Sequence, residues 1–108
     1  MNDRNFTASD VIRLYRAIYN HAFRHVEKPQ LKIYIGVSGK IEAFGQYDPN
    51  INRIDIWLDE HETLTQIFDT LVHELCHAEQ EKRLQPLLHS KRFSRRIKRQ
   101  KQKIKRAI

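Results

Sequence analysis

Thr63-Leu64-Thr65-Gln66-Ile67-Phe68-Asp69-Thr70-Leu71-Val72-His73-Glu74-Leu75-Cys76-His77-Ala78 is the stretch whose periodicity decides the fold. Thr63 with Gln66 three residues on spells a capping box, the reciprocal start signal of a helix. From there Leu64, Ile67, Phe68, Leu71, Val72, Leu75 and Ala78 recur at three- and four-residue steps. That apolar stripe predicts a helix packed against a core. His73 and His77 fall nearly opposite the stripe and stack on one face about 6 Å apart along the axis. Both rings can then reach one metal ion at about 2.0–2.1 Å. Glu74 projects beside them, placed to hydrogen-bond a water at the metal without being a ligand. A single histidine in a helix is ordinarily solvated or hydrogen-bonded. The pair, off the core stripe with Glu74 between, reads as the H-E-x-x-H zinc motif. His61-Glu62 opens a second such pattern, but Thr65 stands where its second histidine would have to be.

A catalytic zinc needs a third protein ligand and keeps its fourth position for water. After Glu81 the chain holds no Asp, Glu or Cys, and its one remaining ligand type is His89. The compact H-E-x-x-H-x-x-G-x-x-H pattern fails, because Gln80 and Arg83 occupy the Gly and third-His positions. His89 follows His77 by twelve residues, beyond Pro86, where the helix should have ended, so a turn must bring the chain back. The competing reading of His89 is a surface loop residue. Cys76 sits between the two histidines but toward the flank of the helix, where a small buried thiol is ordinary.

At these residues the chain resembles the SprT-like family of zinc metallopeptidases, which includes the Spartan proteases that clear proteins crosslinked to DNA. The match is His73-Glu74-Leu75-Cys76-His77-Ala78, then His89-Ser90-Lys91-Arg92-Phe93, against H-E-L-x-H-A and H-G-x-x-F. Upstream, Gly45-Gln46-Tyr47 and Asn52 to Leu58 look like the strand pair that precedes the family's zinc helix. The likeness spans roughly residues 9–97. Ser90 replaces the usual Gly and can cap the next helix. The C-terminal zinc ribbon of many bacterial members cannot be built from one cysteine. The resemblance implies a small zincin core with the substrate laid along the sheet's edge strand, here expected at Arg53 to Leu58. It also extends the substrate class to DNA-associated proteins.

The chain has 108 residues, room for one core and no second domain. Around the zinc helix the expected elements run in a simple order. Ser9 is expected to cap a first helix with Val11, Leu14, Tyr15, Ile18 and Ala22 inward. Leu31, Ile33 and Ile35 alternate as a first strand, and Gly36 to Gly39 turns the chain. Ile41 to Tyr47 reads as a second strand ending at Asp48-Pro49-Asn50, and Ile54, Ile56 and Leu58 alternate in a third. A basic helix from Ser90 closes the chain. The fold class is α+β: an N-terminal helix, a three-stranded sheet, a zinc-binding helix and a basic C-terminal helix over about 90–108. No stretch approaches eighteen apolar residues, and the polar opening Met1-Asn2-Asp3-Arg4-Asn5 has no signal-peptide character. With a single cysteine, this suits a reducing cytoplasm.

Charge is segregated. Residues 1–81 hold 8 Lys/Arg against 13 Asp/Glu, whereas residues 82–108 hold 12 Lys/Arg and no acid. In the last helix Phe93, Ile97, Ile104 and Ile108 share one face, and the face opposite is Lys and Arg. Such a run can be only a solvated face. Read as a nucleic-acid arm, Lys91, Arg92, Arg95, Arg96, Lys98 and Arg99 would give sequence-independent, salt-sensitive DNA binding and nucleoid association. A membrane-surface role is weaker, since four apolar residues bring no Trp anchors.

Together these readings describe a zinc metallopeptidase acting on a protein or peptide substrate. One zinc ion is held by His73, His77 and His89, and Glu74 is the general base. Tyr47 and Arg53 are the candidates for an additional oxyanion donor. The alternative is a non-catalytic, zinc-stabilised nucleic-acid-binding domain, with His21, His25 or His61 as a fourth ligand.

Overall fold

Two reciprocal capping boxes fix where the first two long helices begin. In the computed structural model, which describes residues 6–36, 44–86 and 88–107, helix α1 runs Ala8–Ala22 with Thr7 at its N-cap. The Asp10 amide donates to Thr7 Oγ1 at 3.3 Å, and the Thr7 amide donates to the Asp10 carboxylate at 2.9 Å. Ser9 therefore lies in the first turn rather than at the cap. The reason is chemical: three residues after Ser9 stands Ile12, which has no acceptor to return, whereas Thr7 and Asp10 satisfy each other. Val11, Tyr15, Ile18 and Ala22 are buried as expected.

Strands β1 (Gln30–Tyr34), β2 (Gly45–Asp48) and β3 (Arg53–Trp57) form one sheet in the order β1-β3-β2. β1 runs parallel to β3 and β2 antiparallel to it. β1 stops at Tyr34; Ile35 is 80 % exposed, and Gly36 turns the chain with φ 100°, a backbone region open to glycine. The described part of the second strand begins at Gly45, and Gly39 and Ile41 to Ala43 lie outside the described residues. The turn at Asp48-Pro49-Asn50 is present, with Asn50 N–H donating to Asp48 Oδ1 at 3.0 Å and Asn52 at φ 49°.

The third strand is not the sheet's edge. The chain places β2 on one side of β3 while β1 pairs along the other, so β3 is central and, among the described residues, both of its neighbours are edges. Ile54 and Ile56 are fully buried, and so nearly is Asp55, held by Arg53 and Gln46 on the other sheet face. Ile54 and Ile56 face the core shared with α1 and α2, and pairing on both sides makes β3 the central strand.

After a 3₁₀ turn at Leu58–Glu60, helix α2 spans Leu64–Lys82 and helix α3 spans Lys91–Ala107. Ile67, Leu71, Val72 and Leu75 from α2 have no exposed surface and meet α1, β3, Phe93 and Ile104 in one core. Burying a side chain of this kind is worth about 1.5–3 kcal/mol, so the α2 stripe is the centre of the domain. Phe93 and Ile104 fasten α3 to that core, with Ile97 partly buried beside them; Ile108 lies outside the described residues. Gln100 adds a buried hydrogen bond of 2.7 Å to the Ala22 carbonyl. Among the described residues no helix is long and apolar enough to cross a membrane.

Candidate metal centre

α2 carries His73, Glu74 and His77 at the level of β2, and the chain then reverses to bring back His89. The reversal uses the cap at Arg83 and Leu84, whose φ of 56° is left-handed. Ser90 starts α3, its hydroxyl accepting from the Phe93 amide at 3.2 Å. Phe93 then slides beneath the histidines, stacked on His77 at 4.4 Å between ring centroids and edge-on to His73 at 5.1 Å. That contact gives the spacing from His89 to Phe93 a physical purpose: the same turn delivers an imidazole and the apolar floor beneath it.

The three imidazoles converge through one edge. His89 Nε2 lies 3.1 Å from His73 Nε2 and 3.0 Å from His77 Nε2. Four-coordinate ions with nitrogen ligands at about 2.0–2.1 Å hold those nitrogens about 3.3 Å apart. Two of the three nitrogen pairs thus lie within a few tenths of an ångström of that spacing, and all three ligand atoms lie within 4.8 Å of one another. Burial pushes His73 down to about 4, with the neighbouring histidines adding to the effect, and burial likewise lowers His77. Both rings are therefore neutral at neutral pH, the form that binds metal. His73, His77 and His89 could hold a metal ion, and among the described residues no fourth Cys, His, Asp or Glu joins them.

The other histidines are occupied elsewhere. His61 is buried, with one ring nitrogen 2.8 Å from the Trp57 carbonyl oxygen and the other 2.8 Å from Thr70 Oγ1. His25 Nε2 meets Glu79 at 2.5 Å, and His21 is exposed on α1. Cys76 is buried and its thiol is pushed up to about 12, first by burial, as expected for a core residue.

Gln80 is the residue that motif reading missed. Its Oε1 accepts from His77 Nδ1 at 2.6 Å while its Nε2 donates to the Leu88 carbonyl at 3.1 Å. One amide thus sets the ring angle of His77 and holds the segment bearing His89, leaving His77 Nε2 with its lone pair outward, free to bind a metal. A glutamine three residues after the second histidine is the signal, but its far partner depends on the loop. Gln80→Leu is expected to weaken metal binding about 10–100-fold without unfolding the protein, read by competition against a chelating dye. An unchanged affinity would reduce Gln80 to a bystander.

Glu74 lines the same cleft, a cavity of about 600 Å³ between α2 and β2. Its side chain is 6 % exposed; burial raises it to about 7, opposed by a hydrogen bond from the Tyr47 amide. Gly45 lets β2 come this close. A Cβ there would sit 2.7 Å from Thr70 Cγ2 and 3.0 Å from the Asp55 carbonyl oxygen. Of the two oxyanion candidates, Tyr47 lines the cleft, although its hydroxyl donates to Asn52 Oδ1 at 2.8 Å. Arg53 does not line the cleft; its guanidinium is forked to Asp55.

Behind the cleft, Glu79 clamps α3 to α2. The Arg96 guanidinium donates to its two oxygens at 2.7 and 2.8 Å, which turns Arg96 inward and leaves Lys91, Arg92, Arg95, Lys98 and Arg99 as the exposed basic residues of the six. Burial alone would raise the Glu79 carboxyl, but the bonds from Arg96 and His25 outweigh it and hold it below its usual value. A lowered folded value contributes stability that is present above about 4.5, the ordinary glutamate value, and lost as pH falls below it. Glu79→Gln should therefore melt lower than wild type at neutral pH, near the low end of the roughly 3–5 kcal/mol for breaking a buried pair. The gap should close as the pH is taken down toward 3. A gap constant across that range would show that the ion pair is not its origin.

No family model, curated protein or solved structure matches this chain.

Proposed function

We propose that this protein is a zinc-dependent metallopeptidase in which His73, His77 and His89 hold one ion and Glu74 is the general base. The observation that carries the reading is the pairing of three converging imidazoles with a buried carboxylate on the wall of the same cleft. A closed structural site has no use for that carboxylate, and it would want a fourth protein ligand. The likeness of His73–Ala78 and His89–Phe93 to the SprT-like motifs supports the same conclusion.

Zinc would supply Lewis acidity there, acidifying water and polarising a carbonyl oxygen. Glu74 takes the proton of the attacking water and passes it to the leaving amine. Burial favours this role, because it raises the carboxyl to about 7, nearer the working pH at which a general base is most effective. The Tyr47 amide keeps the carboxylate aimed into the cleft, and Phe93 keeps the ligand rings from tilting. The substrate backbone would add along β2, the edge strand that borders the cleft, rather than along the central β3. The test is cleavage of an unfolded protein substrate by zinc-loaded wild type against Glu74→Gln.

The basic face of α3 supports a second property, non-specific DNA binding, which would bring DNA-associated proteins to the cleft. Truncation is a poor test of it, since Ile104 and Gln100 are buried and Lys101 pairs with Asp69 at 2.8 Å. Replacing the exposed Lys91, Lys98 and Lys105 by Gln leaves those contacts intact. Wild type should bind DNA with a Kd of about 10⁻⁴–10⁻⁶ M at physiological salt, with log K falling linearly in log salt. The triple variant should bind more weakly and with a shallower slope in a fluorescence-anisotropy titration. Identical slopes would make the helix a solvated face only.

A further inference from the structure

On the far side of Gln80 from the histidines, the end of α2 and the first turns of α3 enclose a second cavity of about 710 Å³. Arg83, Arg92, Arg95, Arg96 and Arg99 all line it, with Glu79 as its one carboxylate. The α3 contributions fall at Arg92, Arg95, Arg96 and Arg99, the spacing of a single helical stripe. Three of the five lysines of α3, Lys91, Lys98 and Lys105, fall at seven-residue steps on another stripe, and none of the five lines the cavity. Over the first turns of α3, the part that borders the cavity, the basic groups on that face are all guanidinium groups.

Glu79 does not neutralise the cavity. Its oxygens are taken by the Arg96 fork, with Arg83 at 3.9 Å and His25 at 2.5 Å. Arg92, Arg95 and Arg99 have no acidic partner among the described residues, and Arg92 and Arg95 are exposed enough to be reached from solvent. Ser90 and Arg92 also line the wall, so the positive end of α3 faces the same space. Three unpaired guanidinium groups around a concave site suit a ligand that is compact, oxygen-rich and multiply charged. Planar forked donors match phosphate oxygens two at a time, which a carboxylate ligand of single charge would leave largely unused. The volume is in the range of small-ligand sites, enough for a phosphate with the sugar that carries it.

We propose that this cavity binds a terminal phosphate group, a monoester or pyrophosphate, through Arg92, Arg95 and Arg99. Two sources carry that chemistry, a free nucleotide or the phosphorylated end of a nucleic-acid strand. The site is separate from the histidine cleft and its occupancy does not need a metal ion, so the test is run on full-length, metal-free protein with chelator present. Pyrophosphate binding is measured by isothermal titration calorimetry for wild type, Arg92→Gln/Arg95→Gln and Lys98→Gln/Lys105→Gln. The two variants lose equal charge from one helix, and thermal melts confirm that each is folded. Pyrophosphate should bind wild type, the arginine pair should reduce the affinity at least tenfold, and the lysine pair should change it less than twofold. Adenosine 5′-monophosphate against adenosine, and a 5′-phosphorylated against a 5′-hydroxyl oligonucleotide, then identify the source. A preference for the phosphorylated member of either pair supports the site. Equal losses from the arginine and lysine pairs, or no preference for a terminal phosphate in either comparison, would overturn it.

Discussion

Glu74→Gln is expected to keep its metal and its fold and to lose peptide hydrolysis by about 10²–10⁴-fold, the usual weight of a general base. The side chain is 6 % exposed, packed between α2 and the Tyr47 amide of β2, so an amide of equal size fits the same space. What it removes is the ability to accept a proton. In the metal-free protein the substitution should raise thermal stability slightly if it changes it at all, because burial pushes the carboxyl up to about 7 and disfavours its charged form. Rates on an unfolded protein substrate, compared at equal zinc content, decide the matter. Activity within a few-fold of wild type would remove Glu74 from the mechanism.

His89→Ala carries the second large effect. Its Nε2 stands 3.1 and 3.0 Å from those of His73 and His77, and it comes from a different element, so removing it leaves a two-ligand edge on α2. Loss of zinc affinity should go well beyond the roughly 10–100-fold expected for an outer-shell residue such as Gln80. Elemental analysis after mild chelation should find wild type loaded and the variant empty. The fold should survive, because His89 is exposed while Phe93, which anchors the turn, is retained. Full retention of zinc would place the third ligand elsewhere and leave the peptidase reading without its centre.

What local sequence carries well is periodicity and reciprocal capping. α2 was legible from its cap, since Thr63 and Gln66 satisfy each other and five of the seven apolar stripe positions are buried, with Phe68 partly buried and Leu64 exposed in the first turn. That His89 would lie beside His73 and His77 was legible by elimination, through the acid-free composition of the chain beyond Glu81. Strand order was not. Whether Arg53–Trp57 lies at an edge depends on which strand takes its second side, and that pairing joins residues more than twenty positions apart, Leu31 with Ile54 and Ile33 with Ile56. The role of Gly45 was hidden for a related reason: its close approach to Thr70 exists only once β2 has docked on α2. Arg96 shows the limit of reading charge runs. Six basic residues looked equivalent along the chain, yet one faces inward because Glu79, seventeen residues earlier, is buried beneath it.

The most direct measurement of the central claim is the appearance of new peptide termini, by mass spectrometry, in an unfolded protein incubated with full-length protein carrying one zinc per chain. New termini are expected with the zinc-loaded protein, none after chelation, recovery on adding zinc back, and none at any zinc level with Glu74→Gln. A protein that holds one zinc through the three histidines and yields no new termini would contradict it and make the ion a purely structural one.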